Sequence, residues 1–162
     1  MPLIRTALAA ATLGILSFAA AHAQIGVTRL YDAAYTRLDF PGGDPPRERG
    51  VCTDVVVRAY RDAFGLDLQK EVNADMRRAF AAYPTRWRLK APDANIDHRR
   101  VPNLQTFFRR HGRELPAQGD PSAFAAGDLV TQMLPGALPH IVIVTRARGA
   151  ADAGEEIAGQ RF

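Results

Sequence analysis

The residue best suited to chemistry is Cys52, the only cysteine in this 162-residue chain. It follows Gly50 at the start of a helical apolar pattern, where unpaired backbone N–H groups and the helix dipole favour negative charge. A thiol there can have a pKa of ~3.5–7.5 instead of ~8.5, and the same N–H groups can hold the oxyanion formed when a thiolate attacks a carbonyl. Cys52 is therefore a candidate nucleophile, although most free cysteines are small buried core residues.

His140 is the best candidate for a base beside that thiol. It begins a predicted strand with apolar neighbours, where a histidine either belongs to the core or points into a site. A cysteine at a helix start, followed much later by a histidine on a strand, is an arrangement that cysteine hydrolases use. His111 lies among arginines at a predicted helix end and is interpreted as a capping residue.

The densest polar cluster is Asp97-His98-Arg99-Arg100. A metal site could combine Asp97 and His98 with His140 and Cys52. No short ligand spacing such as H-x-x-x-H or C-x-x-C supports it, so a loop fastened by ion pairs is the favoured interpretation. We predict no metal and no cofactor.

Helical patterns precede strand patterns along the chain. Val51, Val55, Ala59 and Ala63 form one apolar stripe that Gly65 ends, so a helix is expected over this stretch. The apolar spacing predicts three further helices: a short one over 27–38, one near 70–82, and one around 104–111 that ends at Gly112.

Two strands are predicted near the C-terminus, over 129–134 and 139–145, joined by the turn dipeptide Pro135-Gly136. Helices first and strands afterwards indicate an α+β domain.

Residues 1–23 have the order of a secretory signal peptide. Arg5 is the only charged side chain, an apolar run extends from Ala7 to Ala20, and Ala21-His22-Ala23 is a small-x-small cleavage site. Cleavage after Ala23 leaves Gln24 first, and cleavage after Ala21 also fits. The run is shorter than the ~20 residues of a membrane span. We therefore expect a periplasmic or secreted bacterial protein with no stable membrane insertion after cleavage.

Length and charge limit the remaining possibilities. Residues 24–162 are too few for two domains and are predicted to form one. Loss of Arg5 with the leader lowers the net charge from +4 to +3, which is mild. No nucleic-acid-binding motif accompanies that charge, so nucleic acid is not an expected partner. A basic surface could hold an anionic cell-wall polymer.

Three stretches carry a resemblance to a known family. Residues 50–56, 95–104 and 127–141 resemble a bacterial domain family of unknown function that is grouped with the NlpC-type cell-wall peptidases, among the papain-like cysteine peptidases. The resemblance covers nearly the whole chain after the leader. Its longest motif surrounds Asp97.

The resemblance implies a papain-like (NlpC-type) fold with a cysteine-bearing helix packed on a small antiparallel sheet. It implies that Cys52 is the nucleophile and His140 the general base of an amidase or endopeptidase, with peptidoglycan peptides as the expected amide substrate. Asp54, Asp97 and His98 are tentative substrate-binding or orienting residues.

The chain departs from the family pattern at two places. Gln132 stands where the pattern has a tryptophan. The pattern also continues with further strands, one bearing a second histidine that orients the first, whereas the tail over 146–162 has no alternating apolar residues. The C-terminal strands are thus expected to be truncated and the activity weak.

Two alternatives follow. One is a cell-wall binding module of the same fold with impaired catalysis. The other is a small periplasmic metal-binding protein built around Asp97 and His98.

Overall fold

The computed structural model describes residues 16–112, 114 and 124–144. Within these residues, helix and strand are both present, which confirms the α+β class. Residues 16–22 are helical. The complete elements are β1 (Leu30–Tyr31), β2 (Arg49–Gly50), α1 (Cys52–Phe64), α2 (Leu68–Ala79), α3 (Val101–His111), β3 (Leu129–Leu134) and β4 (Leu138–Ile143), with short 3₁₀ turns at Phe80–Ala82 and Asp97–Arg99.

Helix α1 forms where the apolar stripe predicts it. Val56, Val57 and Ala59 are buried in the core, so burial outweighs the preference of β-branched residues for strands. Gly65 ends the helix with a left-handed backbone at φ 64°, and its N–H donates to the Arg61 carbonyl. A glycine adopts this conformation without a Cβ clash.

Helices α2 and α3 confirm the helices predicted near 70–82 and around 104–111. Helix α2 begins two residues before the predicted start, because Asp67 caps it by accepting from the Gln69 N–H, and its expected last turn is the 3₁₀ turn Phe80–Ala82. Helix α3 ends before Gly112, as expected.

The predicted helix over 27–38 is wrong. Within this segment only Leu30–Tyr31 form regular structure, as β1, which pairs in parallel with β2. Backbone N–H groups of residues 29–32 donate to the Glu48 and Gly50 carbonyls. Its apolar residues Leu30 and Tyr31 are more than half exposed. The helical spacing of apolar residues over 27–38 did not produce a helix, because exposed apolar side chains such as Leu30 and Tyr31 gain little from it.

Arg58 holds the residues before α1 against the helix. Its side chain is fully buried, and its Nε donates to the Asp44 carboxylate at 2.9 and 3.0 Å. Its Nη2 donates to the Pro45 and Arg49 carbonyls, each at 3.0 Å. A buried guanidinium is tolerated because its donors are paired.

Strands β3 and β4 form the predicted antiparallel hairpin. The register places Thr131 opposite Ile141 and Gln132 opposite His140. Helices α1 and α3 pack on β4, whose Ile141 and Ile143 lie in the core with residues of both helices. A cysteine-bearing helix on a small antiparallel sheet is therefore present. No finding assigns it to the papain-like fold.

The end of the predicted leader packs into the same core. Ala21 is 1 % exposed and belongs to the core cluster, and Gln24 donates through Nε2 to the Val55 carbonyl at 3.0 Å. Cleavage after either predicted site would remove Ala21 from this contact.

Two predictions lie outside the described residues, wholly or in part: residues 1–15 of the leader and the tail over 146–162. Among the helices that are described, none is both long and apolar enough to span a bilayer.

We predict that a chain starting at Gln24 folds, with a lower melting temperature than a chain starting at Leu16. The shorter chain loses the buried Ala21 methyl, and burying one such group contributes ~0.8 kcal/mol. Thermal unfolding should show a decrease of about 2–4 °C. Ala23→Ser in the longer chain is the control because Ala23 is exposed. Equal melting temperatures would show that residues 16–22 contribute nothing to the core.

Candidate functional site

Cys52 is the first residue of α1, after an extended Val51, and is partly buried. Backbone N–H groups of Ile141, Thr53 and Cys52 itself lie close enough to the thiol to lower its pKa. Two of these groups belong to the helix start, as the sequence predicts. The third belongs to β4, so the thiol lies where α1 meets this strand.

The register explains why the Ile141 N–H is available to the thiol. In an antiparallel ladder, alternate residues bond to the partner strand. Val144 donates to the Asp128 carbonyl at 2.8 Å, so by alternation the backbone N–H groups of Val142 and His140 also point towards β3. The N–H of Ile141 then points the other way, to the outer edge of β4. Sequence reasoning did not find this group, because a backbone donor has no residue type to mark it.

The acidity of Cys52 differs from the expectation. Burial raises the pKa of the thiol above its ordinary value and outweighs the lowering by the backbone N–H groups of Ile141 and Thr53, while the Asp54 charge raises it further. The expected lowering of the thiol pKa by the helix start is therefore not supported by the structure. The thiol needs a proton acceptor before it can act as a nucleophile.

His140 lies on β4, next to Ile141, and is 7 % exposed. Burial lowers the pKa of its imidazole, which keeps the ring neutral and able to accept a proton at neutral pH. The structure thus places His140 next to the β4 residue whose backbone N–H lies near the Cys52 thiol. The ring and the Cys52 thiol, both in the described part of the chain, are not joined by a hydrogen bond. Catalytic hydrogen bonds are often long in the absence of substrate and shorten when it binds.

Asp54 holds the start of α1. One carboxylate oxygen accepts from the Val51 N–H at 2.7 Å, and both accept from Arg99, at 2.9 Å from Nε and 3.0 Å from Nη2. Each side chain of this ion pair is 2 % exposed. The tentative role of Asp54 as an orienting group for His140 is not supported, because its oxygens are committed to these partners.

Arg99 joins three segments at the candidate site. Besides Asp54, its guanidinium donates to the Ala34 and Asp32 carbonyls at 3.0 and 2.9 Å. Its own carbonyl accepts from the Thr53 hydroxyl at 2.9 Å. Sequence reasoning placed Arg99 in a polar cluster without assigning it this positioning role, since its partners lie 45 or more residues away.

Gly50 must be a glycine for the same ion pair to form. Its φ is 154°, and a Cβ at this position would lie 2.8 Å from an Asp54 carboxylate oxygen. Any larger residue would displace the carboxylate that caps α1.

Asp97 fastens the loop before α3. Its carboxylate accepts from the Asp93 N–H and, at 2.9 Å, from Arg100, while its carbonyl accepts from the Asn103 amide at 3.1 Å. Burial raises the pKa of this carboxyl, and the Asp93 hydrogen bond and the Arg100 charge oppose that effect. None of these partners is Cys52 or His140, so the geometry favours the structural interpretation over a direct role at the site.

His98 is buried, at 2 % exposure, and its Nδ1 has no hydrogen-bond partner. Burial lowers the pKa of the ring to about 4. The Asp54 charge raises this pKa and the Arg99 charge lowers it, both by less than burial does. His98 is therefore a neutral core residue at physiological pH. The geometry gives no support to a substrate-binding role.

The metal-site hypothesis finds no support in the described part of the chain. Among its residues, no three His, Cys, Asp or Glu side chains lie close enough together to hold a metal ion.

Comparison with known proteins identifies the family. The sequence model of a domain of unknown function, DUF1287, matches residues 18–157. The chain belongs to this family. A protein of Escherichia coli (strain K12) described as "Uncharacterized protein YijF" is 54 % identical over 125 residues, which cover 77 % of this chain and 60 % of that protein. The chain thus spans less than two thirds of this relative.

No solved structure matches the chain. The family is shown, and its grouping with the NlpC-type peptidases stays a prediction.

We predict that Arg99→Met destabilises the domain by about 3–5 kcal/mol, because it leaves the Asp54 carboxylate buried without its partner. Adding Asp54→Asn should recover part of this loss, since the amide carries no charge. The free energy of unfolding in urea measures both effects. Arg47→Met is the matched control: its ion pair with Asp62 is exposed and should contribute less than ~1 kcal/mol. Equal losses in the two Arg→Met variants would contradict the assigned role of Arg99.

We also predict that His98 makes the fold sensitive to acid. Between pH 6.5 and about 4, unfolded His98 binds a proton that the folded protein excludes, so stability falls as pH falls through this window. His98→Leu should reduce the stability lost between pH 7 and pH 4.5 by up to roughly 3 kcal/mol. Urea unfolding at both pH values tests this. The same pH dependence in wild type and variant would show that His98 does not titrate as assigned.

Proposed function

We propose that this protein is an exported cysteine amidase or endopeptidase, with Cys52 as nucleophile and His140 as general base. The observation that carries the proposal is the position of the Cys52 thiol at the start of α1, against the β4 residue that follows His140. A thiol, an imidazole and helix N–H groups at one place are the parts that acyl transfer needs.

The reaction follows from these groups. His140 accepts the thiol proton, and the Cys52 sulfur attacks the carbonyl carbon of an amide. Collapse of the tetrahedral intermediate breaks the C–N bond, and His140 returns the proton to the leaving amine. Water, deprotonated by the same imidazole, then hydrolyses the thioester and restores the thiol. A neutral His140 is the form that this sequence requires at its start.

The proposed substrate is a peptidoglycan peptide. The support is the resemblance of the three motifs to the NlpC-type peptidases, together with a leader that would take the chain to the compartment of the cell wall. We extend the papain-like fold to this chain on the same resemblance, since helix α1 packs on the β3–β4 hairpin. Fold-level analogy alone would not identify a substrate.

A second function is a cell-wall binding module with impaired catalysis. The observation that favours it is the raised pKa of Cys52 in a site where Asp54 and Asp97 are both committed elsewhere. A nucleophile that remains a protonated thiol attacks amides slowly.

We predict that the chain from Gln24 to Phe162 releases peptide fragments from purified peptidoglycan, as detected by mass spectrometry. Cys52→Ser should abolish release. His140→Ala should decrease the rate by about 10²–10⁴, the usual contribution of a positioned base. His111→Ala is the matched control, since His111 lies at the end of α3 and contacts Asp75.

Unchanged release by Cys52→Ser would overturn the proposal. If no fragments are released and the Cys52 thiol also remains unreactive towards iodoacetamide in the folded protein, the hydrolase proposal fails. Co-sedimentation of the chain with intact peptidoglycan in that case would support the binding module.

A further inference from the structure

We propose that Gln132 is the positioning residue that orients the His140 ring. This inference deepens the proposed function and rests on it. A general base works best when a third group fixes the tautomer and the direction of its imidazole. Asp54 and Asp97 cannot do this because other groups hold their carboxylates.

The β3–β4 register places Gln132 directly opposite His140. Side chains of directly opposed residues project from the same face of an antiparallel pair, with Cβ atoms ~4.5–5.5 Å apart. A glutamine side chain spans such a distance easily. Gln132 is therefore within hydrogen-bonding reach of the imidazole by backbone geometry alone.

Gln132 is also the polar residue among the neighbours of His140 on this face of the hairpin. The diagonal positions on β3 are Val130 and Leu134, and the same-face positions on β4 are Leu138 and Val142. All four are aliphatic and can neither donate nor accept a hydrogen bond. Within the described hairpin, Gln132 is therefore the side chain on this face that can form a hydrogen bond with the ring.

The chemistry of an amide fits this role. The Gln132 carbonyl oxygen can accept from one ring N–H, which leaves the other ring nitrogen unprotonated and able to take the Cys52 proton. An amide carries no charge, so it orients the ring without stabilising the imidazolium. Gln132 is exposed and makes no side-chain hydrogen bond to a described residue, so its amide can turn towards the ring.

Two measurements on the chain from Gln24 to Phe162 test the inference, and neither needs the substrate. The first is the rate of Cys52 alkylation by iodoacetamide at pH 7.5. Gln132→Leu should slow it three- to tenfold, the effect expected from the loss of one neutral hydrogen bond. Met133→Leu is the matched control, because Met133 is 66 % exposed and projects from the opposite face of β3.

The second measurement is the NMR titration of the His140 ring. Wild type should show one predominant neutral tautomer, and Gln132→Leu a mixture. Gln132→Glu keeps the acceptor oxygen and adds a negative charge, so it should keep the tautomer and raise the titration midpoint of His140. A side chain with only a structural role would leave both signals unchanged.

The outcomes separate this inference from the proposed function. If His140→Ala slows alkylation but Gln132→Leu matches the Met133→Leu control, the catalytic pair stands and Gln132 is not its positioning residue. If His140→Ala leaves the alkylation rate unchanged, the proposed base is wrong, whatever Gln132 does. Slower alkylation in Gln132→Leu together with a mixed tautomer would support the inference.

Discussion

The candidate site depends on one buried ion pair. Asp54 and Arg99 are each almost fully removed from water, and a buried charge is tolerated only when it is paired and hydrogen-bonded. Together they cap helix α1 and bind the backbone at Asp32 and Ala34. Because Cys52 opens that helix, the direction of its thiol follows from this pair. Asp54, a candidate orienting residue in the sequence, thus serves to hold the start of the helix that carries Cys52.

The same packing that positions Cys52 also opposes its ionisation. The helix start supplies N–H groups that stabilise a thiolate, yet desolvation has the larger effect and keeps the thiol protonated. Burial lowers the pKa of the His140 imidazole, whereas it raises that of the thiol, and it thereby keeps the ring neutral. Burial therefore favours the neutral form of both side chains. In the proposed reaction, the imidazole would have to reach the thiol before it could accept the thiol proton.

Strand β4 links the two halves of the site. One of its residues contributes a backbone donor to the thiol and its neighbour contributes the imidazole, while Ile141 and Ile143 pack into the core under α1 and α3. Alternation along a strand makes this possible, since consecutive side chains face opposite sides of the sheet. A register shift of one residue would turn the His140 side chain to the face that packs under α1 and α3, and it would redirect the Ile141 N–H.

The sequence alone determined the local features. The α1 stripe with Gly65 and the hairpin around Pro135-Gly136 were predicted correctly, because burial periodicity and turn chemistry act over a few residues. Cys52 and His140 were predicted as a catalytic pair because few side chains can perform that chemistry, and their roles stay predictions. Only the tertiary structure decided the functions of Asp54, Asp97 and His98, the acidity of Cys52, and the failure of the helix over 27–38. Each of these depends on which atoms, distant in sequence, replace water around a group. A local sequence pattern does not specify those atoms.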